Sequence, residues 1–349
     1  MAVTIRDIAK ITGVSVSTVS KALNNRPDIS VPLKHKIENI ALSKGYSPYI
    51  KARQTGMYAR PGKHIGIILP LFTNEYLVRE VQRGIDNSLS LSDYIQIRYN
   101  MHDVLQITNE AYKGRFLEKI MKDESIAGLL AAFFQIDDVT IARLQKKGIQ
   151  VVQLNHSSPY GKCVVINNVD AAYKATRALI KLGRKKIGLI LPEETIESLW
   201  KDRLEGYMKA LSSAGMDYNP YLIVNEHSFS LEESALATKT LLEREPRIDA
   251  IIYGSDVQAY GGLVALSELN KTVPDDIAVI GFDNLPFSRI ITPPLSSVSQ
   301  PMFEMGRIAS QMLLDAIDRK DFSNKIVKLK CHLALRQSSH KNIPKEHLT

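Results

Sequence analysis

From His64 onward the chain repeats one pattern, a short and nearly continuous apolar run followed by a longer stretch with helical spacing. HIGIILP, YIQIRYN, AGLLAAF and VVQLN form a first series of strand-like runs, with helical patterns over 78–89, 111–121 and 139–147. KIGLILP, YLIVN, DAIIYG and IAVIGF form a second, with helical patterns over 171–182, 204–214, 232–243 and 258–269. Apolar runs without polar alternation belong to strands buried on both faces, and strands that alternate with helices build parallel sheets. Two series predict two doubly wound α/β lobes. Ligands of such lobes bind beyond the carboxyl ends of the strands, which for paired lobes is the cleft between them.

The first 63 residues depart from this pattern and carry a different charge. They hold eleven of the 45 Lys and Arg and three of the 37 Asp and Glu. That leaves 34 of each sign beyond residue 63, so the whole net charge of +8 lies in the head. A compact basic segment on a neutral body is the electrostatic footprint of a nucleic-acid-binding module. No apolar run is long enough to cross a bilayer, and MAVTIRDIAK has no apolar export core, so a cytoplasmic location is expected. Cys163 and Cys331, far apart in strand-like runs, read as inert buried thiols.

Within the head, Thr4 and Asp7 make a helix-start pair, and Ile5, Ile8, Ala9 and Thr12 share one face. Gly13 ends that helix. Ser15 caps a second over 16–23, whose apolar face is expected to be Val16, Val19 and Leu23. A third begins at Ser30 and Pro32, turns Leu33, Ile37, Ile40 and Ala41 inward, and stops at Gly45. Three short helices with a tight turn between the first two describe a helix-turn-helix module. The stretch GVSVSTVSKALN then has a reason: short side chains on the second helix let its backbone come close to bases and phosphates.

TIRDIAKITGVSVSTVSKALN resembles the N-terminal signature of the lac repressor (LacI/GalR) family of bacterial transcription regulators nearly residue for residue. GLILP with RLEGYMKAL, YGSDVQAYGGLVAL, IAVIGFDN and TPPLSSVSQPMFEMG extend the resemblance through almost the whole chain. It implies an α/β architecture, an N-terminal three-helix helix-turn-helix head plus two doubly wound parallel-sheet lobes of periplasmic-binding-protein type. The implied domains are 1–60, a DNA-binding domain with hinge, and 61–340, an effector-binding and dimerisation domain. With three crossings between lobes, lobe 1 would take about 61–167 and 295–324, and lobe 2 about 168–294 and 325–340. By the same resemblance Val16, Ser17 and Lys21 read base edges, while Thr4, Ser15, Thr18, Ser20 and Asn24 mostly contact phosphates. Ala52 and Arg53 match the family's hinge helix, but Thr55 stands where the family carries a leucine that wedges into the minor groove. Threonine is a poor wedge for unstacking a base step, so a smaller bend is expected, with Met57 and Tyr58 as nearby substitutes.

For the cleft, the resemblance implies Asn74, Tyr76, Arg203, Ser255, Asp256, Asp283 and Gln300, with Ser255 replacing a frequent asparagine. Arginine and aspartate facing across a cleft suit a small polyhydroxylated ligand, one donating and the other accepting hydrogen bonds. His227 and Phe229 are weaker candidates, and Trp200 stands either at the cleft mouth or in the core. Plainer roles remain open: Asp256 as a helix cap, Asp283 as a turn residue, Arg203 in a surface ion pair. The expected function is a sequence-specific DNA-binding transcription regulator, a repressor, acting as a homodimer on a near-palindromic double-stranded operator. Its expected effector is a sugar; a nucleobase, a phosphoprotein corepressor or an activating role are the alternatives within the family. The sequence contains no phosphate loop, nucleophile elbow or clustered metal-ligand spacing, so neither catalysis, a metal nor a cofactor is expected. An enzyme acting on a small carbohydrate is the remote alternative.

Overall fold

The computed structural model describes residues 4–23, 29–30, 32–34, 36–37, 40, 64–70, 75–90, 92–102, 106, 108–159, 161–192, 198–226, 230–319 and 323–341. Asn24, Ala52, Arg53, Thr55 and Asn74 lie outside the described residues, as do Met57, Tyr58, His227 and Phe229. The chain divides into two units, Met1–Gly62 and Lys63–Thr349.

In the first unit, α1 (Ile5–Thr12) opens on a reciprocal cap. The Asp7 N–H donates to Thr4 Oγ1 at 3.3 Å, and the Thr4 N–H donates to Asp7 Oδ2 at 2.7 Å. The helix ends at Gly13, left-handed at φ 74°, whose N–H reaches the Ala9 carbonyl. α2 (Val16–Leu23) begins where Ser15 Oγ accepts the Thr18 N–H at 3.0 Å. Ile8, Ala9, Val19, Ala22 and Ile37 form the core of this unit, with Ile5, Leu33 and Ile40 against it. Residues 32–34 and 36–37 are helical. Val16 departs from the expected inward face: it is 41% exposed, and Ala22 takes the inward place. Positions 16 and 22 flank Val19 symmetrically at helical pitch, and the seam with α1 runs through the smaller side chain.

The second unit holds two six-stranded sheets of matching order. The first contains β1 (His64–Pro70), β2 (Ile95–Met101), β3 (Ile126–Ala132), β4 (Gln150–Leu154), β5 (Lys162–Ile166) and β11 (Lys325–Leu329). They lie in the order β2-β1-β3-β4-β5-β11, and all neighbours are parallel. The second contains β6 (Ile187–Pro192), β7 (Ile223–Glu226), β8 (Ala250–Tyr253), β9 (Ala278–Asp283), β10 (Ser296–Ser299) and β12 (His332–Ala334). Their order is β7-β6-β8-β9-β10-β12, with only β12 antiparallel to its neighbour. Helices α3 (Glu75–Leu89), α4 (Glu110–Met121), α5 (Asp138–Lys146) and α10 (Met302–Arg319) accompany the first sheet; α6 (Asn168–Lys181), α7 (Ser198–Ser213), α8 (Leu231–Arg244) and α9 (Asp256–Glu268) accompany the second. β3 to β6, β8 and β9 are buried along their whole length, as strands covered on both faces must be.

The lobe boundaries differ from those the resemblance implies. β10 pairs with β9 in the second sheet and β11 with β5 in the first, so the chain crosses at 167, 300–301 and 330–331. Polar side chains decide both placements. Ser296 and Ser297 are buried, and their hydroxyls find acceptors in lobe 2, on the Arg336 carbonyl at 2.9 Å and Asp256 Oδ1 at 2.6 Å. Lys325, Ile326 and Lys328 of KIVKL are exposed, which suits an edge strand beside β5. Each crossing leaves the carboxyl end of a strand. β5 runs directly into α6 and β10 into α10, helices that begin at the carboxyl edge of the opposite lobe. With one or two residues to span the gap, the two carboxyl edges must face each other.

α10 was not anticipated from periodicity, and it seals lobe 1 against α3. A Cβ on Gly84 would lie 1.9 Å from the Phe303 carbonyl oxygen, and one on Gly306 2.1 Å from that of Val81. The two helices meet backbone to backbone through reciprocal glycines. In lobe 2, Glu226 is buried where β7 meets α8 and α9. Its Oε1 accepts from Ser234 Oγ at 3.2 Å and from the Gln258 amide, while its Oε2 and Gln258 Oε1 have no partner among the described residues. Burial pushes this carboxyl up to about 7.

Gly306→Ala adds up to about 1 kcal/mol of helix propensity, yet a net loss of about 1–3 kcal/mol is expected from the forced separation of α3 and α10. Urea unfolding reads this directly, and an unchanged midpoint would contradict the close crossing. Glu226 sets a pH dependence. Its folded value lies above the ordinary glutamate range, so its protonated form stabilises fully at low pH and that contribution is lost as pH rises through about 7. Glu226→Gln should flatten the fall in melting temperature between about pH 5 and about pH 8. Parallel slopes for the two proteins would show that Glu226 does not titrate there.

Candidate effector and DNA-binding sites

Arg203 lies in the first two turns of α7 and is buried, which rules out the surface ion pair. Its Nε donates to Asn168 Oδ1 at 3.0 Å and its Nη1 to the Gly254 carbonyl. The guanidinium sits 3.6 Å from the Phe282 ring centroid and 4.5 Å from that of Trp200. A planar cation lying over two rings and fixed by a fork of donors has one orientation. Trp200 is thereby a core aromatic that stacks on the arginine rather than a residue of the rim.

Asp283 closes β9 and is also buried. It has φ 115° and Asn284 has φ 54°, so two successive residues without glycine's freedom occupy the left-handed half of backbone space. Such residues cost of order 1–3 kcal/mol each and persist where the surroundings over-determine them. Gln300 Nε2, on the second crossing, donates to Asp283 Oδ1 at 2.6 Å. Burial and the neighbouring Asp256 charge push the Asp283 carboxyl well up, while Arg203 pulls it down.

Ser255, not Asp256, caps α9, accepting the Gln258 N–H at 3.1 Å. Asp256 is fully buried with both oxygens engaged inside lobe 2. Oδ2 accepts the Leu285 N–H at 2.7 Å and the Ser288 hydroxyl at 2.5 Å, and Oδ1 accepts the Ser297 hydroxyl. Arg203, Ser255, Asp256 and Asp283 thus gather at the carboxyl edge of one sheet, joined by Gln300. The expectation that arginine and aspartate face each other across the cleft is corrected. Both belong to lobe 2, because β6, β8 and β9 are adjacent parallel strands whose carboxyl ends share an edge. Tyr76 stands apart in the first turn of α3, 39% exposed, at the carboxyl edge of lobe 1.

Several residues of these edges escaped sequence reasoning. Asn168 and Phe282 orient Arg203; the asparagine pair after KCVVI, at the end of a strand-like run, was the available signal for the first. In lobe 1, Phe133 and Asn155 follow β3 and β4 with φ 54° and 67°. His156 is buried beside them and hydrogen-bonded to the Phe133 main chain, and burial lowers its imidazole to about 4. Arginine donors and a carboxyl acceptor on one wall can hold a ligand that both donates and accepts hydrogen bonds. Among the described residues, no group of three or more His, Cys, Asp or Glu is placed to hold a metal ion, and no helix is long and apolar enough to cross a membrane.

In the head, Ser15, Val16, Ser17 and Lys21 are exposed on the outer side of α2 and its start, with Thr18 and Ser20 half-buried. The Ser15 and Thr18 hydroxyls bond each other at 2.8 Å. Thr4, half-buried, donates its own hydroxyl to Asp7 Oδ2 at 2.6 Å. The start of α2, where a helix carries partial positive charge, lies among these exposed residues.

Comparison with known proteins places both units. Residues 4–49 match the family model described as bacterial regulatory proteins, lacI family, and residues 176–339 match that of a periplasmic binding protein-like domain. The HTH-type transcriptional regulator RegA of Clostridium saccharobutylicum is 28% identical over 97% of this chain and 100% of its own length. The ribose operon repressor of Haemophilus influenzae is 29% identical over 96% of this chain and 98% of its own. Among solved structures, a complex of the transcriptional regulator CelR with cellobiose superposes with a TM-score of 0.71 at 24% identity, covering 97% of this chain and all of the other. A LacI family regulator from Enterococcus faecium with bound ribose gives 0.66 at 24% identity, over 79% and 98%. The head and body models occur in the order of the full-length relatives, and this chain belongs to the LacI family of bacterial transcription regulators.

Proposed function

We propose that the chain is a cytoplasmic, homodimeric repressor of a sugar-utilisation operon, whose affinity for a near-palindromic operator is set by a sugar bound at the facing carboxyl edges. The observation that carries the sugar is the lobe 2 wall: a guanidinium fixed by Asn168 and the Gly254 carbonyl, and a buried carboxyl, within one edge. Hydroxyl groups both donate and accept, so a sugar can meet a carboxyl and a guanidinium at once. Ribose and cellobiose in the two solved relatives support the same class. Arg203, Asp283, Gln300 and Ser255 would hold the ligand from lobe 2, with Asn74 and Tyr76 approaching from lobe 1.

On the DNA side, Val16, Ser17 and Lys21 would read base edges, and Thr4, Ser15, Thr18, Ser20, Asn24, Ala52 and Arg53 would contact phosphates. Thr55 in the leucine position implies a weak central kink. A second copy has a seat of suitable chemistry on lobe 2. The Tyr260 hydroxyl bonds the Ser288 hydroxyl at 2.8 Å, tying α9 to the turn over 286–289, and around this tie Val264, Phe287 and Ile290 are 53%, 63% and 72% exposed. Two heads on a two-fold dimer meet two half-sites of an operator. A ligand that prefers one lobe arrangement biases operator affinity by that preference alone.

The full chain should lose operator affinity steeply with added salt, and deletion of residues 1–62 should abolish binding. Lys21→Ala should cost about 1–3 kcal/mol on the cognate site and relax one symmetric base-pair position per half-site. Selection from random DNA followed by gel shifts reads both effects, and a truncated body that still binds DNA would refute the assignment. Arg203→Lys keeps the charge but loses the fork and the ring stacking. About ten- to hundredfold weaker sugar binding by calorimetry is expected, with ligand-free operator binding retained. Wild-type sugar affinity in this variant would remove Arg203 from the site.

A further inference from the structure

The buried network around Asp256 gives that residue a role distinct from ligand contact. The main chain after Asp283 is tied down at consecutive points, and most of the ties lead to one carboxylate. The Leu285 N–H and the Ser288 hydroxyl donate directly to Asp256 Oδ2. The Asn284 N–H donates to Ser297 Oγ at 2.9 Å, and that hydroxyl spends its own proton on Asp256 Oδ1 at 2.6 Å. Ser297 is therefore an oriented relay, its lone pair aimed at Asn284 because its hydrogen is aimed at Asp256. From behind, Arg336 Nη2 donates to Asn284 Oδ1 at 2.5 Å. The space for the carboxylate is made by a missing side chain, since a Cβ on Gly281 would lie 2.3 Å from Asp256 Oδ1. Helix α9 also turns the Asp256 main-chain N–H toward the Asp283 carboxylate.

We propose that Asp256 is a positioning residue, which touches no effector and instead locks Asp283 into its left-handed conformation by fastening residues 284 to 288. The geometry has a second consequence. Two carboxylates share one buried corner, so the charge of Asp256 disfavours charge on Asp283 and sets how readily Asp283 takes up a proton. The charged and titratable groups that face Asp283 are Arg203 from α7, Asp256 and Tyr260 from α9, and Cys331 from the third crossing, with Arg336 behind Asp256. The importance of this for ligand control rests on the reading of Asp283 as the acid that holds the effector.

The test needs no ligand. Full-length protein labelled with carboxyl-13C aspartate is titrated by NMR, with Asp283 assigned from its missing resonance in Asp283→Asn. Amide hydrogen exchange is followed at Asn284 and Leu285. In Asp256→Asn, the Asp283 titration should fall toward the ordinary carboxylate range by about one pH unit or more, and exchange at Leu285 should quicken about tenfold or more. Ser297→Ala keeps the Asp256 charge and cuts only the relay. It should quicken exchange at Asn284 while leaving the Asp283 titration high. A residue of purely structural importance would change exchange without moving the titration. An unmoved Asp283 titration in Asp256→Asn overturns the proposal, and so does unaltered exchange at Leu285. Whether Asp283 itself holds effector is decided apart, by titrating ribose and cellobiose against Asp283→Asn.

Discussion

The three crossings between the lobes all leave from the carboxyl ends of strands and span only one or two residues, and the arrangement of the body depends on that constraint. Short crossings force the two carboxyl edges to face each other, which turns two separate ligand-binding edges into one site. The same constraint ties the site to the crossings. Arg203 is bonded to Asn168, the first residue after the first crossing, and Asp283 to Gln300, which belongs to the second. A ligand that moves either side chain therefore acts on a segment joining the lobes. Motion of one lobe against the other has only these segments through which to turn.

Electrostatics divides the chain's labour. The net charge lies entirely in the first 63 residues, so attraction to DNA is a property of the head, and the charge-balanced body holds buried charged groups at the carboxyl edge of lobe 2. At that edge Arg203 lowers the Asp283 carboxyl while Asp256 raises it. Arg203 donates to the Asn168 amide oxygen and the Gly254 carbonyl, Asp256 accepts from two serine hydroxyls and the Leu285 N–H, and Asp283 accepts from the Gln300 amide.

Much of this was legible in the sequence because periodicity and punctuation report local physics. Apolar runs marked the strands of both lobes, and Gly13 and Ser15 marked the turn of the head, where cap hydrogen bonds leave little choice of residue. Val16 was misplaced because helical spacing allows positions 16 and 22 equally, and only the approach of α1 decides between them. The strands β10 and β11 could not be assigned to a lobe from their residues alone, since pairing partners lie over a hundred residues away for β11. Asp256 and Asp283 are both acidic residues at strand ends, and nothing in the sequence separates the one engaged by serines from the one joined to Gln300. That distinction is made by Gly281, whose missing side chain gives one of them its corner.

If ligand and operator act on one pair of lobe arrangements, each must alter the affinity of the other by the same factor. The measurement is calorimetric titration of the sugar that most raises the melting temperature of the protein, into free protein and into the preformed operator complex. The account predicts two different dissociation constants, in a ratio equal to the ligand's effect on operator affinity. Equal constants for the free and operator-bound protein would show that the cleft does not speak to the head, and would contradict it.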